Sequence, residues 1–541
     1  MIGSLDRLHL ERGIRRLIAP WDRLDSPGVV VGVAEAGEVL ARLAVGAASV
    51  EHQVAMTPEH RFAIASVTKQ FVSAAALLLG QQGLLDLDGD AREVVPELAD
   101  FPHRVTLRQM MDNTAGLRDF LEIGRFGGVD TDTPIDEARL RAGIARQRAG
   151  NFHPGTRYLY SNSNFLLLGD AVARVAGGDL AAALDRLLFQ PAGMAATALV
   201  SSPRPVLPGL ASGYVLDRAG VLVQARQGFP KGGEGGLVSC VDDLLIWHRQ
   251  LLGQAPLGPV LADQLAERRC FANGVLNPYG AGLEGTSWRG LRVLGHGGLW
   301  PGYRTQVLLF PDRALSVVVL TNTGAVDPWI LARRIADLRL DARGPTLPGW
   351  RVAPAAAVAG RTGTFVAPEL GASLTVRVGE GDSAIVDTNG SSLPLLDLGD
   401  GRLTLASGTA RLALSPDGTG WRATLDAGVT ASFAPVVASV PLPKGLVGRY
   451  QSTDMATVWT VHPAPTTDAV SLTVSVDGPY VRADGWTLTP LTEALVTVEP
   501  VSAWLTLRYD VQVERDAAGG VAALVVSSGR SKSVRFERMV S

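Results

Sequence analysis

The chain has 541 residues, of which 46% are hydrophobic and 19% charged, and its net charge is −3. That length exceeds one hydrophobic core and suggests three or so domains at ~150 residues each, while the composition excludes a disordered chain and the charge leaves no basic footprint for nucleic acid. The only two cysteines, Cys240 and Cys270, exclude a disulfide framework and any Cys/His ligand cluster.

The first stretch, "MIGSLDRLHLERGIRRLIAPW", is broken by charges at short intervals and predicts an amphipathic helix rather than a signal peptide. No apolar run approaches the ~20 residues that span a bilayer, so a cytoplasmic protein without a membrane partner is expected. Residues 28–48 predict two strands around a glycine-containing turn. Residues 66–85 are apolar almost all round and predict a buried helix. Helices are also expected at 135–148 and 163–188, two strands across a Pro-Asp turn at 303–322, and a closing helix at 327–340. Cys240 and Cys270 are expected to be buried or partly buried bystanders.

The texture changes near 343, at "RGPTLPGWRVAPAAAVAG", to short β-rich runs with regular turns. A second proline-rich seam, "VASVPLPKG" (437–445), precedes another β-rich block that opens "GLVGRYQS". Two successive antiparallel β-barrels or sandwiches fit this pattern. The expected domains are 1–343, 344–441 and 442–541.

Chemistry concentrates in three stretches. In "ASVTKQF", Ser66 and Lys69 are three apart at a helix start, which puts both on one face. The chain holds 50 lysines and arginines, only four of them lysines, and this is its one S-x-x-K. A serine hydroxyl is a poor nucleophile until a base takes its proton. Arginine does not deprotonate in proteins, whereas a lysine amine can. The second stretch, "RYLYSNSNF", contains Tyr160 and Asn162. A phenol can relay a proton and an amide can bind a substrate carbonyl; alone, such a segment is more often a helix-capping loop. The third, "LGHGGLWPGYR", sets His296 before Gly297 and Gly298 on a strand, where a ligand can approach the backbone closely.

In this order the three stretches resemble the serine β-lactamase and penicillin-binding protein superfamily: S-x-x-K, Y-x-N, and His-Gly-Gly where K-T-G would stand. "NTAGLRD" (113–119) and "HPGTRYLYSNSNFLLLG" are similar to blocks of its class C branch, and the resemblance covers about residues 10–340. Total length, "SVTKQF", "GHGG" followed by Gly-aromatic-Arg at 302–304, and "GRY" opening the last block resemble the D-aminopeptidases of the S12 peptidase family.

That resemblance implies an α+β chain. A penicillin-recognising catalytic domain would be followed by two antiparallel β-barrel domains, the last sending a loop into the catalytic cleft. "SVDGPYVRADG" (475–485), with Asp477 and Asp484, is the segment expected to supply it. The resemblance also implies Ser66 as acylated nucleophile, Lys69 and Tyr160 as base and proton relay, and Asn162 on the substrate amide. His296 would line the site with Gly297, Gly298 and Arg304, and the N–H groups of Ser66 and Leu299 would form the oxyanion hole. Histidine is mostly neutral at pH 7, so substrates carrying the carboxylate that a K-T-G lysine meets are disfavoured.

The implied activity is release of an N-terminal D-residue such as D-Ala from small peptides and amides. An esterase or amidase of the same fold, or a non-catalytic binding protein, stays open at this point. No G-x-S-x-G elbow or H-E-x-x-H stretch is present. The expected partners are the peptide or amide substrate and a second copy in a homodimer; no cofactor or metal is implied.

Overall fold

The computed structural model describes residues 4–202, 204–341, 351–388, 390–405, 412–425, 429–436, 440–463, 472–502 and 506–540. In chain order, α1 (Ser4–Ile18) is followed by the hairpin β1 (Val29–Glu35) and β2 (Glu38–Val45), then α2 (Thr68–Gln81), α3 (Phe120–Phe126), α4 (Glu137–Ala145) and α5 (Asn162–Ala176). Next come β3 (Leu237–Ser239), α6 (Val241–Leu251), β4 (Tyr279–Gly280), β5 (Leu283–Trp288), β6 (Leu291–Trp300), β7 (Tyr303–Phe310), β8 (Leu315–Thr321) and α7 (Pro328–Asp341). The helix expected over 163–188 ends early because Gly177 and Gly178 take φ of 111° and 98°, which no helical turn accommodates. The helix expected from 66 is preceded by a 3₁₀ turn, Ala65–Val67.

The chain forms two compact units. The first comprises Met1–Pro96, Arg104–Ala115 and Ser163–Gly349. Its centre is a seven-stranded antiparallel sheet in the order β4-β5-β6-β7-β8-β1-β2. β1 and β8, paired with each other inside the sheet, are buried along their whole length, as their runs of valine and leucine require. α1 and α7 pack on one another and on this sheet, and α2 is buried along most of its length, Lys69 included. Cys240 is buried as expected, whereas Cys270 is exposed, because it sits in a short loop bridge with Leu276 rather than in a packed element.

The second unit comprises Glu97–His103, Gly116–Asn162 and Trp350–Ser541. It holds two eight-stranded barrels. In the first, consecutive strands pair from Gly363–Ala367 to Thr430–Pro435, and these two pair to close the ring, with Arg351–Val352 added outside on Ser391–Asp397. The second closes in the same meander from Gly448–Ser452 to Val534–Arg538. Closure leaves no strand edge to aggregate. Alternate residues face inward, and the interiors fill around Trp421 in one barrel and Trp459, Trp486 and Tyr509 in the other. The proline-rich segment 343–350 and residues 437–439 of the second seam lie outside the described residues.

Within this unit α3 docks on the last barrel. Ile123 and Phe126 join its core, Phe126 meets Tyr509 edge-on at 4.9 Å, and Trp459 Nε1 donates to the Phe126 carbonyl at 2.9 Å. Among the described residues no helix is long and apolar enough to cross a membrane.

Candidate active site

In the first unit, Ser66 sits on the 3₁₀ turn that leads into α2. Ala65, just before it, is held at φ +48°, an unusual conformation for a residue with a Cβ. β3 pins this turn: Phe62 pairs with Ser239, Ile64 N–H donates to the Leu237 carbonyl at 3.0 Å, and Leu237 N–H donates to Thr68 Oγ1 at 3.1 Å. Lys69 is fully buried. Its Nζ donates to Ser66 Oγ at 3.0 Å and to the Glu234 carbonyl at 2.5 Å, and lies 5.4 Å from the Phe165 ring centre. The two side chains read together from the sequence are therefore in direct contact.

Glu234 and Gly282 fix the lysine, and neither drew attention in the sequence. The Glu234 carboxylate accepts from Gly232 N–H at 3.0–3.1 Å, which rigidifies the loop whose carbonyl receives Lys69. Burial pushes this carboxyl above the usual carboxylate range, while the Gly232 N–H and the charge of Lys69 oppose that. Gly282 has φ +75° and lies against α2; a Cβ there would come within 2.5 Å of the Lys69 carbonyl carbon. Buried Asp112 holds this segment by accepting from Ala281 N–H at 3.2 Å, and its own carbonyl accepts from Asn277 Nδ2 at 2.9 Å. The glycines around Glu234, in "KGGEGG", were the one visible signal of a tight approach.

His296, Gly297, Gly298 and Leu299 run along β6. Among the described residues β5 pairs with β6 only as far as Gly295, so His296–Trp300 pairs with β7 alone and forms a sheet edge. Gly298 lets this edge lie on the Ser66 turn: a Cβ there would meet Thr305 Oγ1 at 2.1 Å and the Ile64 carbonyl oxygen at 2.2 Å. Leu299 is half exposed at 51%. Arg304, opposite Leu299 on β7, has its pKa lowered by burial, against the charge of Asp327. His296 itself is fully buried. Its Nδ1 lies 2.6 Å from the Gly297 carbonyl and its Nε2 lies 3.0 Å from Tyr279 Oη. A carbonyl only accepts, so Nδ1 carries a hydrogen, and Nε2 is tied to the Tyr279 phenol.

Lys231, three residues before Glu234, places its ammonium 5.8 Å from the Trp300 ring centre. Burial lowers its pKa from 10.5 to about 8, although the charge of Glu234 raises it. Between those values the unfolded chain binds more protons here than the folded one. Stability therefore rises with pH through this window, and the full penalty is present below it. Lys231→Met should raise the thermal midpoint at pH 7, and the gain should shrink as pH rises past 8. Melts at pH 7 and pH 10 check this; an equal gain at both would refute it.

Tyr160 and Asn162 belong to the second unit. Asp119 caps α3 with Oδ1, which accepts from Leu121 N–H at 3.0 Å and Glu122 N–H at 3.3 Å. Its Oδ2 accepts from both the backbone N–H and Nδ2 of Asn162, each at 2.7 Å. That pair of bonds sets the Asn162 amide so that its Oδ1 points the opposite way. Tyr160 is buried, and the Arg530 guanidinium lies over its ring at 4.7 Å from the centre.

Arg530 comes from the segment 528–533, between the last two strands of the final barrel. The segment expected from the sequence, 475–485, goes elsewhere in this unit. Its tip packs on Gly127, and Tyr480 Oη donates to the Arg139 carbonyl at 2.7 Å. Asp477 forms an exposed ion pair with Arg482 at 3.0 Å, and Asp484 is exposed. Hairpin turns carry no sequence mark of which one docks on Tyr160; within this unit it is the 528–533 segment that does so.

Comparison with known proteins agrees with this fold. The sequence profile described as Beta-lactamase matches residues 14–340. A D-aminopeptidase of Brucella anthropi is 31% identical over 301 residues, 55% of this chain and 56% of that protein. A D-aminopeptidase of Gluconobacter oxydans is 33% identical over 56% of each chain, so the match spans little more than half the length of these relatives. The octameric penicillin-binding protein homologue from Pyrococcus abyssi superposes with a TM-score of 0.55 at 20% identity, over 78% of this chain and 99% of that one. With the profile spanning more than half of the residues, and the fold agreeing, the chain belongs to the Beta-lactamase family.

Proposed function

We propose that the chain is a serine hydrolase that forms an acyl-enzyme on Ser66 and releases an N-terminal D-residue, such as D-Ala, from small peptides and amides. The observation that carries this reading is the buried Lys69 amine 3.0 Å from Ser66 Oγ, beside a sheet edge at His296–Trp300. The D-aminopeptidase relatives supply the substrate class.

In this reading a neutral Lys69 keeps one hydrogen on the Glu234 carbonyl and turns its lone pair to Ser66 Oγ. The serine oxygen attacks the substrate carbonyl carbon as its proton passes to Lys69 and Tyr160. The oxyanion is received by the N–H groups of Ser66 and Leu299. The carbon–nitrogen bond breaks, the leaving amine takes the proton, and water then cleaves the acyl ester. Asn162 binds the substrate amide, and Gly297, Gly298 and Arg304 line the edge. Histidine is mostly neutral at pH 7 and, unlike a K-T-G lysine, brings no full positive charge to a substrate carboxylate, so β-lactams and D-Ala-D-Ala peptides should be poor substrates.

The test compares the protein with Ser66→Ala on D-Ala-p-nitroanilide, L-Ala-p-nitroanilide, p-nitrophenyl acetate and a chromogenic cephalosporin. The D-anilide should be turned over in preference to the L-anilide and the cephalosporin, and Ser66→Ala should abolish this. Ester turnover without either anilide would replace the reading with an esterase of the same fold. Silence on all four from a folded protein would overturn it.

A further inference from the structure

The segment 528–533 is built into the support of Tyr160 and Asn162, all within the second unit. Ser531 Oγ accepts from Asp119 N–H at 3.2 Å, and Arg530 N–H donates to Glu122 Oε2 at 2.8 Å. Ser528 Oγ donates to the same carboxylate oxygen. Asn151 clamps the segment from the other side: its Nδ2 donates to the Arg530 carbonyl at 3.1 Å and its Oδ1 accepts from Lys532 N–H at 2.7 Å. Arg530 is thus anchored through its main chain at both ends of the residue. Its side chain is left to the Tyr160 ring, 4.7 Å from the guanidinium.

We propose that Arg530, carried by the last barrel, is a positioning residue that holds down the proton affinity of the Tyr160 phenol. A cation over a phenol ring favours the phenolate over the phenol, and a guanidinium keeps its charge at every working pH. The charged and titratable groups of this cluster are Arg118 and Asp119 just before α3, Glu122 and Arg125 on α3, Tyr158 on the same segment as Tyr160, and Arg530 and Lys532 on the barrel segment. The two carboxylates act against Arg530. Asp119 spends its charge on four N–H donors, and Glu122 is pushed toward its neutral form by burial and by Asp119, with Arg530 opposing. Lys532 Nζ is turned to the Ser528 carbonyl. The ring contact therefore sets the Arg530 charge directly on the phenol.

The inference rests on the reading of Tyr160 as proton relay, and its test separates the two. Titration of the near-ultraviolet tyrosinate band in the full chain, taken as the difference between the protein and Tyr160→Phe, isolates the phenol. Arg530→Met should raise its midpoint by about one pH unit or more, and Arg530→Lys should restore much of it. The acidic limb of kcat/KM for the D-anilide should move up by the same amount in Arg530→Met. Because Arg530 is anchored by backbone groups, Arg530→Met keeps the segment in place, which an unchanged thermal midpoint verifies. An unmoved tyrosinate midpoint in the folded variant overturns the inference. A moved midpoint with full activity in Tyr160→Phe supports the coupling and overturns the relay role instead.

Discussion

Exchange of Lys69 for methionine is expected to lower kcat/KM for the D-anilide by at least about a thousandfold while the protein stays folded. Methionine matches the length and bulk of the buried stem but has no amine, so Ser66 loses the group 3.0 Å from its oxygen that can take its proton. Replacing a fully buried amine by an apolar side chain of similar size removes the cost of burying a polar group. Here the Glu234 carbonyl also loses a donor, worth about 1–3 kcal/mol if nothing replaces it. The two effects oppose each other, so the thermal midpoint should stay within a few degrees while activity collapses. Lys69→Arg should not rescue, because a guanidinium does not deprotonate. Single-turnover kinetics should place the loss in acylation. Retention of more than a tenth of the activity in Lys69→Met would show that the amine is a strut for the Glu234 loop and not the base.

Gly282→Ala is the second large effect, at a residue that lies against the main chain of Lys69 and Gln70. The added Cβ would stand 2.5 Å from the Lys69 carbonyl carbon and 2.6 Å from Gln70 nitrogen, and φ at this residue is +75°. These are main-chain atoms of the first turn of α2 and have no rotamer to escape into. Either α2 shifts or the 277–282 segment, held by Asp112, gives way. A shift of even about 1 Å between Lys69 and Ser66 is expected to lower kcat at least about a hundredfold. Overpacking with strained φ should cost about 1–3 kcal/mol of stability. Saturation kinetics together with thermal melts check both. An unchanged kcat would mean that α2 absorbs the clash without moving Lys69.

The sequence was most informative where chemistry depends on residue type and short spacing. Ser66 and Lys69 are three apart on one helix start, and the structure puts their side chains in contact for that reason. Alternating apolar runs with turns were sufficient to announce two β-domains after 343, because a strand must bury every second residue. Their closure into eight-stranded rings depended on pairing the first and last strands of each, a contact between residues some 70 or more apart that no local pattern encodes.

The sequence by itself determined the Ser66–Lys69 pair, the edge glycines and the order of architecture, since each follows from residue type within a few positions. Tertiary structure decided the partners of His296, the Tyr279 phenol and the Gly297 carbonyl, from residues unremarkable alone. It decided that Glu234 and Gly282 hold Lys69, because a carbonyl and a missing Cβ leave no chemical signature in a sequence. It also decided which barrel loop covers Tyr160. A hydrogen bond or a cation over a ring needs a distance of a few ångströms, and across 370 residues, from Tyr160 to Arg530, only the fold sets it.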